Sequence, residues 1–403
     1  MEQYIKDQVS ATLRTVPSSL LRYPFEPKTS AGIGQFLDKT GGKIRGVCRP
    51  DPNYRQLTDG GFRWIRHGIP FPFDEKGNVR EDYLRFKREA EAYEANGLKV
   101  MGITSSAGYF LQAGLDPRLP EHEPRIREIA RFLITDLRGL IHGVQITNEI
   151  GIPRFGHPLK MREAARFIGI QAEAMAPLKG DIIVGYNTAG PQADQHELLL
   201  PWAQHLDYVG LDIYLGCFFQ LPNWFWVFDM LLKYLWAYTK KPVMLMEIGY
   251  LSGGQPKTKA EKLAVLRSWG AETEKAARRA VQALVARLPQ DSQDYIARCA
   301  SGDWGNYIFG PEFRQHFYRE LPRGVRMRGC PHTQEGQAAF YRKLLPRLEK
   351  LPFLCGTFLY CHKDDPVCGI CGQADCPVET RWGLVTAEGE PKLGYYAVKE
   401  YWS

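Results

Sequence analysis

The chain of 403 residues carries a formal net charge of +7, with 44% hydrophobic and 12% aromatic residues, ample for a substantial core. Its Lys and Arg are spread along the chain. The densest basic patch, residues 275–279, is interleaved with alanine and reads as a solvated helix face, which argues against a nucleic-acid partner. The most apolar stretch, residues 211–238, is interrupted by Asp212, Pro222, Asn223, Asp229 and Lys233, so no membrane span is predicted. Residues 1–16 lack the apolar run of a signal peptide, and the expected location is the cytoplasm.

Along the chain, short apolar strands alternate with amphipathic helices. The first strand is 32–37, preferred to 43–48. Strand 62–67 precedes a helix over 81–96 with apolar or aromatic Tyr83, Leu84, Phe86, Ala90 and Tyr93. Strand 99–104 follows, then helix 125–137 and strand 143–147, helix 161–175 and strand 181–186, helix 194–204 and strand 208–213. An aromatic-rich helix over 224–238 leads to strand 242–247. Helix 333–348 leads to strand 355–360, and a short helix over 393–401 ends the chain.

Eight such strands closing in order predict an α/β fold of the (β/α)8, or TIM barrel, type. An open doubly wound sheet is the alternative. When it binds a dinucleotide it normally shows a Gly-rich first turn, and none is present. Residues 253–331 form a long insertion in the seventh βα connection, with a predicted helix over 259–288. In a TIM barrel that connection lies on the catalytic face, where an insertion would line or cover the substrate cleft, or serve as an oligomer contact.

Catalytic groups of a TIM barrel sit at the C-terminal strand ends. Strand four runs out as Ile146-Thr147-Asn148-Glu149, and strand seven as Leu245-Met246-Glu247. A lone carboxylate at such a place is costly to bury. Two of them, three strands apart on one face, match the needs of glycoside hydrolysis. One carboxyl protonates the departing oxygen, and the other attacks the anomeric carbon or activates water.

These residues resemble the clan A glycoside hydrolases, retaining TIM-barrel β-glycosidases, over residues 32–401 apart from the insertion. The resemblance implies a Glu after Asn at the end of strand four as acid/base, here Asn148-Glu149, and a nucleophilic Glu ending strand seven, here Glu247. It implies that Arg66, in Trp-Ile-Arg-His, and Tyr214, in Gly-Leu-Asp-Ile-Tyr, support the nucleophile. Asn148 would then bond the substrate 2-hydroxyl. The tail beginning Trp382-Gly-Leu-Val is also similar to that of many clan members. Two departures bear on sugar specificity. Tyr360 stands where the clan commonly has Trp, and Thr104-Ser105-Ser106 stands where many families carry His.

Sugar rings present apolar C–H faces to aromatic platforms. Tyr109, Phe110, Phe218, Phe219, Trp224, Trp226, Tyr360 and Trp382 fall on or near the predicted catalytic loops, with Tyr360 the best placed. Residues 217–226 are unusually apolar for a loop and would shape a sugar site, pack under the insertion, or form a homo-oligomer interface.

Catalysis of this kind needs no cofactor. The nine cysteines are an odd number and cannot all pair internally. Cys361, Cys368, Cys371 and Cys376 fall in one Cys-rich loop, about residues 361–380, beside His362 and with a CxxC turn at 368–371. In a cytosolic protein such crowding fits a structural zinc site. Disulfides and free thiols are the alternatives. Two rival functions remain. A metal-dependent aldolase or isomerase would need His or carboxylate clusters at several strand ends, and few are present. A barrel that binds sugar without catalysis would have no reason to keep both glutamates.

Overall fold

The computed structural model describes residues 3–26, 31–217, 224–299, 305, 308–310, 313–321 and 325–403. Phe218 and Phe219 lie outside the described residues, as do Trp304 and Tyr307 of the predicted insertion. Eight parallel strands close a barrel in sequence order: β1 (Ile44–Cys48), β2 (Trp64–Gly68), β3 (Lys99–Ile103), β4 (Gly143–Gln145), β5 (Ile183–Ala189), β6 (Tyr208–Ile213), β7 (Val243–Ile248) and β8 (Leu354–Leu359). β8 pairs back onto β1, with Ile44 opposite Gly356 and Val47 opposite Leu359. Every residue of β6, β7 and β8 is buried, because the barrel interior covers one face and helices cover the other. Interior glycines make room for large neighbours: a Cβ on Gly46 would lie 2.2 Å from the Phe358 ring.

The helices coat the barrel through apolar stripes. In Glu123–Asp136 the buried residues are Ile126, Ile129, Ala130, Leu133 and Ile134, spaced for one helical face. The helix Gln3–Arg22 lies outside the barrel against the helices Ala193–Leu199 and Phe225–Thr239. There the Thr15 hydroxyl and the Tyr234 hydroxyl are 3.2 Å apart, and Arg14 meets Glu197 at 2.8 Å. Among the described residues no helix is long and apolar enough to cross a membrane.

Two predicted elements are corrected. Residues 32–37 are not the first strand: they lie in the helix Ala31–Thr40, and β1 is the rejected 43–48 segment. Ile33, Phe36 and Thr40 are its buried positions, a helical spacing. This helix packs beneath the strands, with Phe36 edge-on to Tyr208 at 6.2 Å and the Thr40 carbonyl accepting from Lys99 Nζ at 3.0 Å. The single helix over 259–288 is three: Lys259–Ser268, Glu274–Arg279 and Val281–Val285. Gly270 takes a left-handed φ of +83°, and Thr273 then caps a new helix by accepting the Ala276 N–H at 3.1 Å.

The segment between β7 and the helix Gln334–Glu349 sits on the C-terminal side of the barrel. Trp269 stacks on Phe317 with centroids 5.6 Å apart and donates its indole N–H to the Phe317 carbonyl. Tyr250, just after β7, accepts the Met327 N–H at 3.0 Å and donates to the Cys330 carbonyl. The helix Gln290–Cys299 reaches two connections. Ser292 donates to the Ile370 carbonyl beyond β8 at 2.8 Å, and the same helix approaches Pro153–Gly156, which follows β4.

Candidate active site

Glu149 and Glu247 are brought to the same barrel mouth, and Arg66 organises the space between them. Arg66, inside β2, is buried. Its Nη1 donates to Glu247 Oε1 at 2.6 Å, its Nε to Gln145 Oε1 at 2.8 Å and its Nη2 to Asn148 Oδ1 at 2.5 Å. Tyr214, one residue beyond β6, donates its hydroxyl to the other oxygen of Glu247. Both oxygens of Glu247 thus accept a hydrogen bond, one of them from a fixed cation.

The Glu149 side of the site is built by an unusual backbone. Thr147 and Glu149 have φ values of +59° and +43°, left-handed for residues that carry a Cβ. Side chains hold both in place. Thr104, one residue beyond β3, accepts the Thr147 N–H at 3.0 Å, and Asn187 of β5 accepts the Glu149 N–H at 3.0 Å. The Asn148 carbonyl oxygen accepts from Arg66, from Gln145 Nε2 at 3.1 Å and from Asn187 Nδ2 at 2.9 Å. Three donors on one oxygen orient the amide, and its NH2 faces away from them.

Glu149 sits in a setting that favours its protonated form. Burial, and then the charge on Glu247, pushes Glu149 up to about 8. A third carboxyl belongs to the same group. Asp212 of β6 is buried and faces both glutamates. Burial and then their charges hold it well above the usual carboxylate range. Its Oδ2 accepts from Asn187 Nδ2 at 2.5 Å. Of the three carboxyls, Glu247 is the one that contacts the Arg66 guanidinium.

Sequence reasoning missed Asp212, Asn187 and Gln145. A signal for Asp212 was present: it and Tyr214 are two apart on β6 and its exit, and so share a face of an otherwise apolar strand.

The aromatic candidates separate into three groups. Tyr360, after β8, lies edge-on to Tyr214 at 5.6 Å, and its hydroxyl accepts from Arg49 at 3.2 Å. Trp382 is 2% exposed and packs beneath Tyr214 at 4.8 Å and Tyr360 at 5.8 Å, with its indole N–H donated to the Val378 carbonyl at 2.6 Å. It supports this wall rather than offering a free face. Phe110 is buried in the core. Tyr109, Trp224 and Trp226 are exposed, the last two stacked at 5.8 Å. Glu379 also borders the wall, and burial raises its carboxyl.

The structure divides the cysteine group. Cys368 and Cys376 converge, and Cys371 joins them, but Cys361 does not: its thiol donates to the Lys363 carbonyl at 3.2 Å. The neighbouring His362 ring instead accepts the Asp51 N–H at 3.1 Å. The residue that joins the thiols is His316, from the segment between β7 and β8.

No protein-family model and no curated protein sequence matches the chain. Solved structures share its fold. A fungal β-1,4-galactanase superposes with a TM-score of 0.54 and 13% identity, over 92% of this chain and 97% of that one. A GH53 catalytic domain from Ignisphaera aggregans gives 0.50 and 17%, over 91% and 92%. A GH2 β-galacturonidase from Eisenbergiella tayi gives 0.51 and 14%, over 90% of this chain and 50% of that chain, so this chain spans about half its length. At such identities the likeness establishes the fold.

Proposed function

We propose that the chain is a retaining glycoside hydrolase that cleaves β-glycosidic bonds of oligosaccharides or glycosides by double displacement. The observation that carries this reading is the contrast between two carboxyls in one mouth: Glu149 is pushed up to about 8, while Arg66 and Tyr214 both donate to Glu247. Glu149 thus keeps a proton at neutral pH, as an acid requires, and Glu247 is held by two donors in a fixed position, as a nucleophile requires.

In the first step a Glu247 oxygen attacks the anomeric carbon, the bond to the leaving oxygen breaks, and the Glu149 proton passes to that oxygen. The product is a covalent glycosyl ester on Glu247. Its formation removes the Glu247 charge, one of the causes that raise Glu149. Glu149 then loses its proton more readily and becomes the base for the second step. Water attacks the anomeric carbon, Glu149 takes the water proton, and Glu247 leaves as a carboxylate. Asn148 presents its amide NH2 to the sugar, positioned for the 2-hydroxyl. Tyr214 and Tyr360 wall the site, with Trp382 behind them. The segment between β7 and β8, linked to the connections after β8 and β4, narrows the approach to this mouth.

The test is a screen of aryl β-glycosides and β-linked oligosaccharides with wild type beside Glu247→Gln. It should include β-galactosides and β-uronides, since a galactanase and a galacturonidase are among the fold's neighbours. Wild type should cleave at least one of them with the β-anomer formed first in proton NMR, and a 2-fluoro glycoside should label Glu247. Full activity in Glu247→Gln, or the α-anomer as first product, overturns the reading.

A further inference from the structure

His316 and three cysteines meet in a buried pocket between the inserted segment and the connection after β8. His316 lies on the helix Arg314–Tyr318, and its Nδ1 is 3.6 Å from Cys368 Sγ and 3.8 Å from Cys376 Sγ. The ligand atoms of these three residues all lie within 4.8 Å of one another. Cys371 lies close enough to both other thiols to interact with them. Cys368, Cys371 and Cys376 are fully buried, and His316 is 5% exposed.

The turn that carries the thiols has a metal-binding geometry. Cys371 directs its backbone N–H at Cys368 Sγ at 3.4 Å, and the Gly372 N–H returns to the Cys368 carbonyl at 2.8 Å. Gly372 permits this with a φ of +72°. An N–H aimed at sulfur favours the thiolate, which is the metal-ligating form. In a tetrahedral zinc site with Zn–S of about 2.3 Å and Zn–N of about 2.0–2.1 Å, the sulfur-to-nitrogen edge is about 3.6 Å. Both measured edges fall close to that value.

We infer that His316, Cys368, Cys371 and Cys376 bind one structural zinc ion, which clamps the inserted segment to the connection after β8. Three thiolates and an imidazole suit zinc, and four protein ligands close its tetrahedral shell, leaving no position for substrate. The inferred site stands independently of the roles given to Glu149 and Glu247. Flanking contacts join the same two segments: Arg319 meets Asp375 at 2.9 Å, and Ser292 donates to the Ile370 carbonyl.

The clamp also bears on the candidate active site. Cys376 caps the short helix Pro377–Thr380, and Thr380 bonds back to the Cys376 carbonyl at 2.7 Å. That helix holds the Trp382 indole through Val378, and Trp382 backs Tyr214 and Tyr360. The ion therefore braces the aromatic wall from behind.

The experiment is elemental analysis of the full chain, purified without added metal and without a metal-affinity tag, with X-ray absorption at the zinc edge. About one zinc per chain is expected, with a shell of three sulfurs at about 2.3 Å and one nitrogen at about 2.0 Å. Cys361→Ser should keep the zinc, and His316→Ala or Cys371→Ser should lose at least nine-tenths of it. The absorption spectrum of wild type decides the matter even if the last two variants fail to fold. Absence of zinc, a disulfide among residues 368, 371 and 376 by mass, a four-sulfur shell, or loss of zinc in Cys361→Ser overturns the proposal.

Discussion

Asp212 of β6 stands directly opposite Glu247 of β7 in the strand register, immediately after a bulge between Leu211 and Asp212. The bulge re-aims the strand end so that both carboxyls face the mouth. The electrostatics of the site follow from this crowding. Burial and like charge raise Asp212 and Glu149, and the one contacting guanidinium is committed to Glu247.

Hydrolysis should fall as pH rises through about 8, because Glu149 must carry a proton, and burial, then the charge on Glu247, pushes it up to about 8. In Glu247→Gln one of those causes is removed, so Glu149 should titrate lower than in wild type. Carbon NMR of labelled glutamate carboxyls would read both, and an unchanged Glu149 titration in the variant would contradict the coupling.

The same raised group has a cost in stability. The folded chain retains the Glu149 proton that an unfolded glutamate releases near pH 4.3, so the folded state loses ground as pH rises from about 4.3 toward 8. Glu149→Gln removes that penalty. Its Tm should match wild type at pH 4 and exceed it by about 6 °C at pH 8.5 in scanning calorimetry. A lower Tm at the higher pH would refute this.

Arg66→Lys should lower kcat by about 100- to 1000-fold while the protein stays folded. A lysine keeps the charge but lacks the planar fork whose three separate nitrogens reach Gln145, Glu247 and Asn148. Steady-state kinetics beside circular dichroism would separate the effect from misfolding.

Tyr214→Phe deletes one hydrogen bond to Glu247 and keeps the ring contacts with Tyr360 and Trp382. The expected result is a fall in kcat of about 10- to 100-fold with KM changed less than about threefold. A large rise in KM with kcat intact would instead assign Tyr214 to substrate binding alone.

Lys392 and Asp364 form a buried pair at 2.9 Å, each side chain 3% exposed, with the Gly383 N–H and the Ser252 hydroxyl completing it. Lys392→Met strands a buried carboxylate and should cost about 3–5 kcal/mol in urea unfolding. The double variant Lys392→Met, Asp364→Leu should recover much of that loss, because burying neither charge is cheaper than burying one.

Much of this molecule was legible along the chain. Strand 208–213 coincides with β6, and the two Asn-Glu and Met-Glu strand exits locate the glutamates of the mouth. Apolar periodicity is a local property, and local residues carry it. Where two local patterns compete, it fails. Residues 32–37 are apolar and Gly-rich enough to read as a strand, yet Ile33, Phe36 and Thr40 fit a helix that packs beneath the barrel.

The order of strands, their closure and the two glutamates were thus determined by the sequence itself, through repeated βα units and the polar residues at strand exits. Only the tertiary structure decided which other polar groups share the mouth. Arg66, Asn148, Asn187, Asp212 and Glu247 come from five strands or their exits, and their contacts exist because the barrel closes. The thiols show the same limit. Spacing groups Cys361 with Cys368, but the chain turns Cys361 toward Lys363 and brings His316 across 52 positions to Cys368 instead. Proximity in sequence sets which residues can form a turn, whereas packing of distant segments sets which side chains meet in its interior.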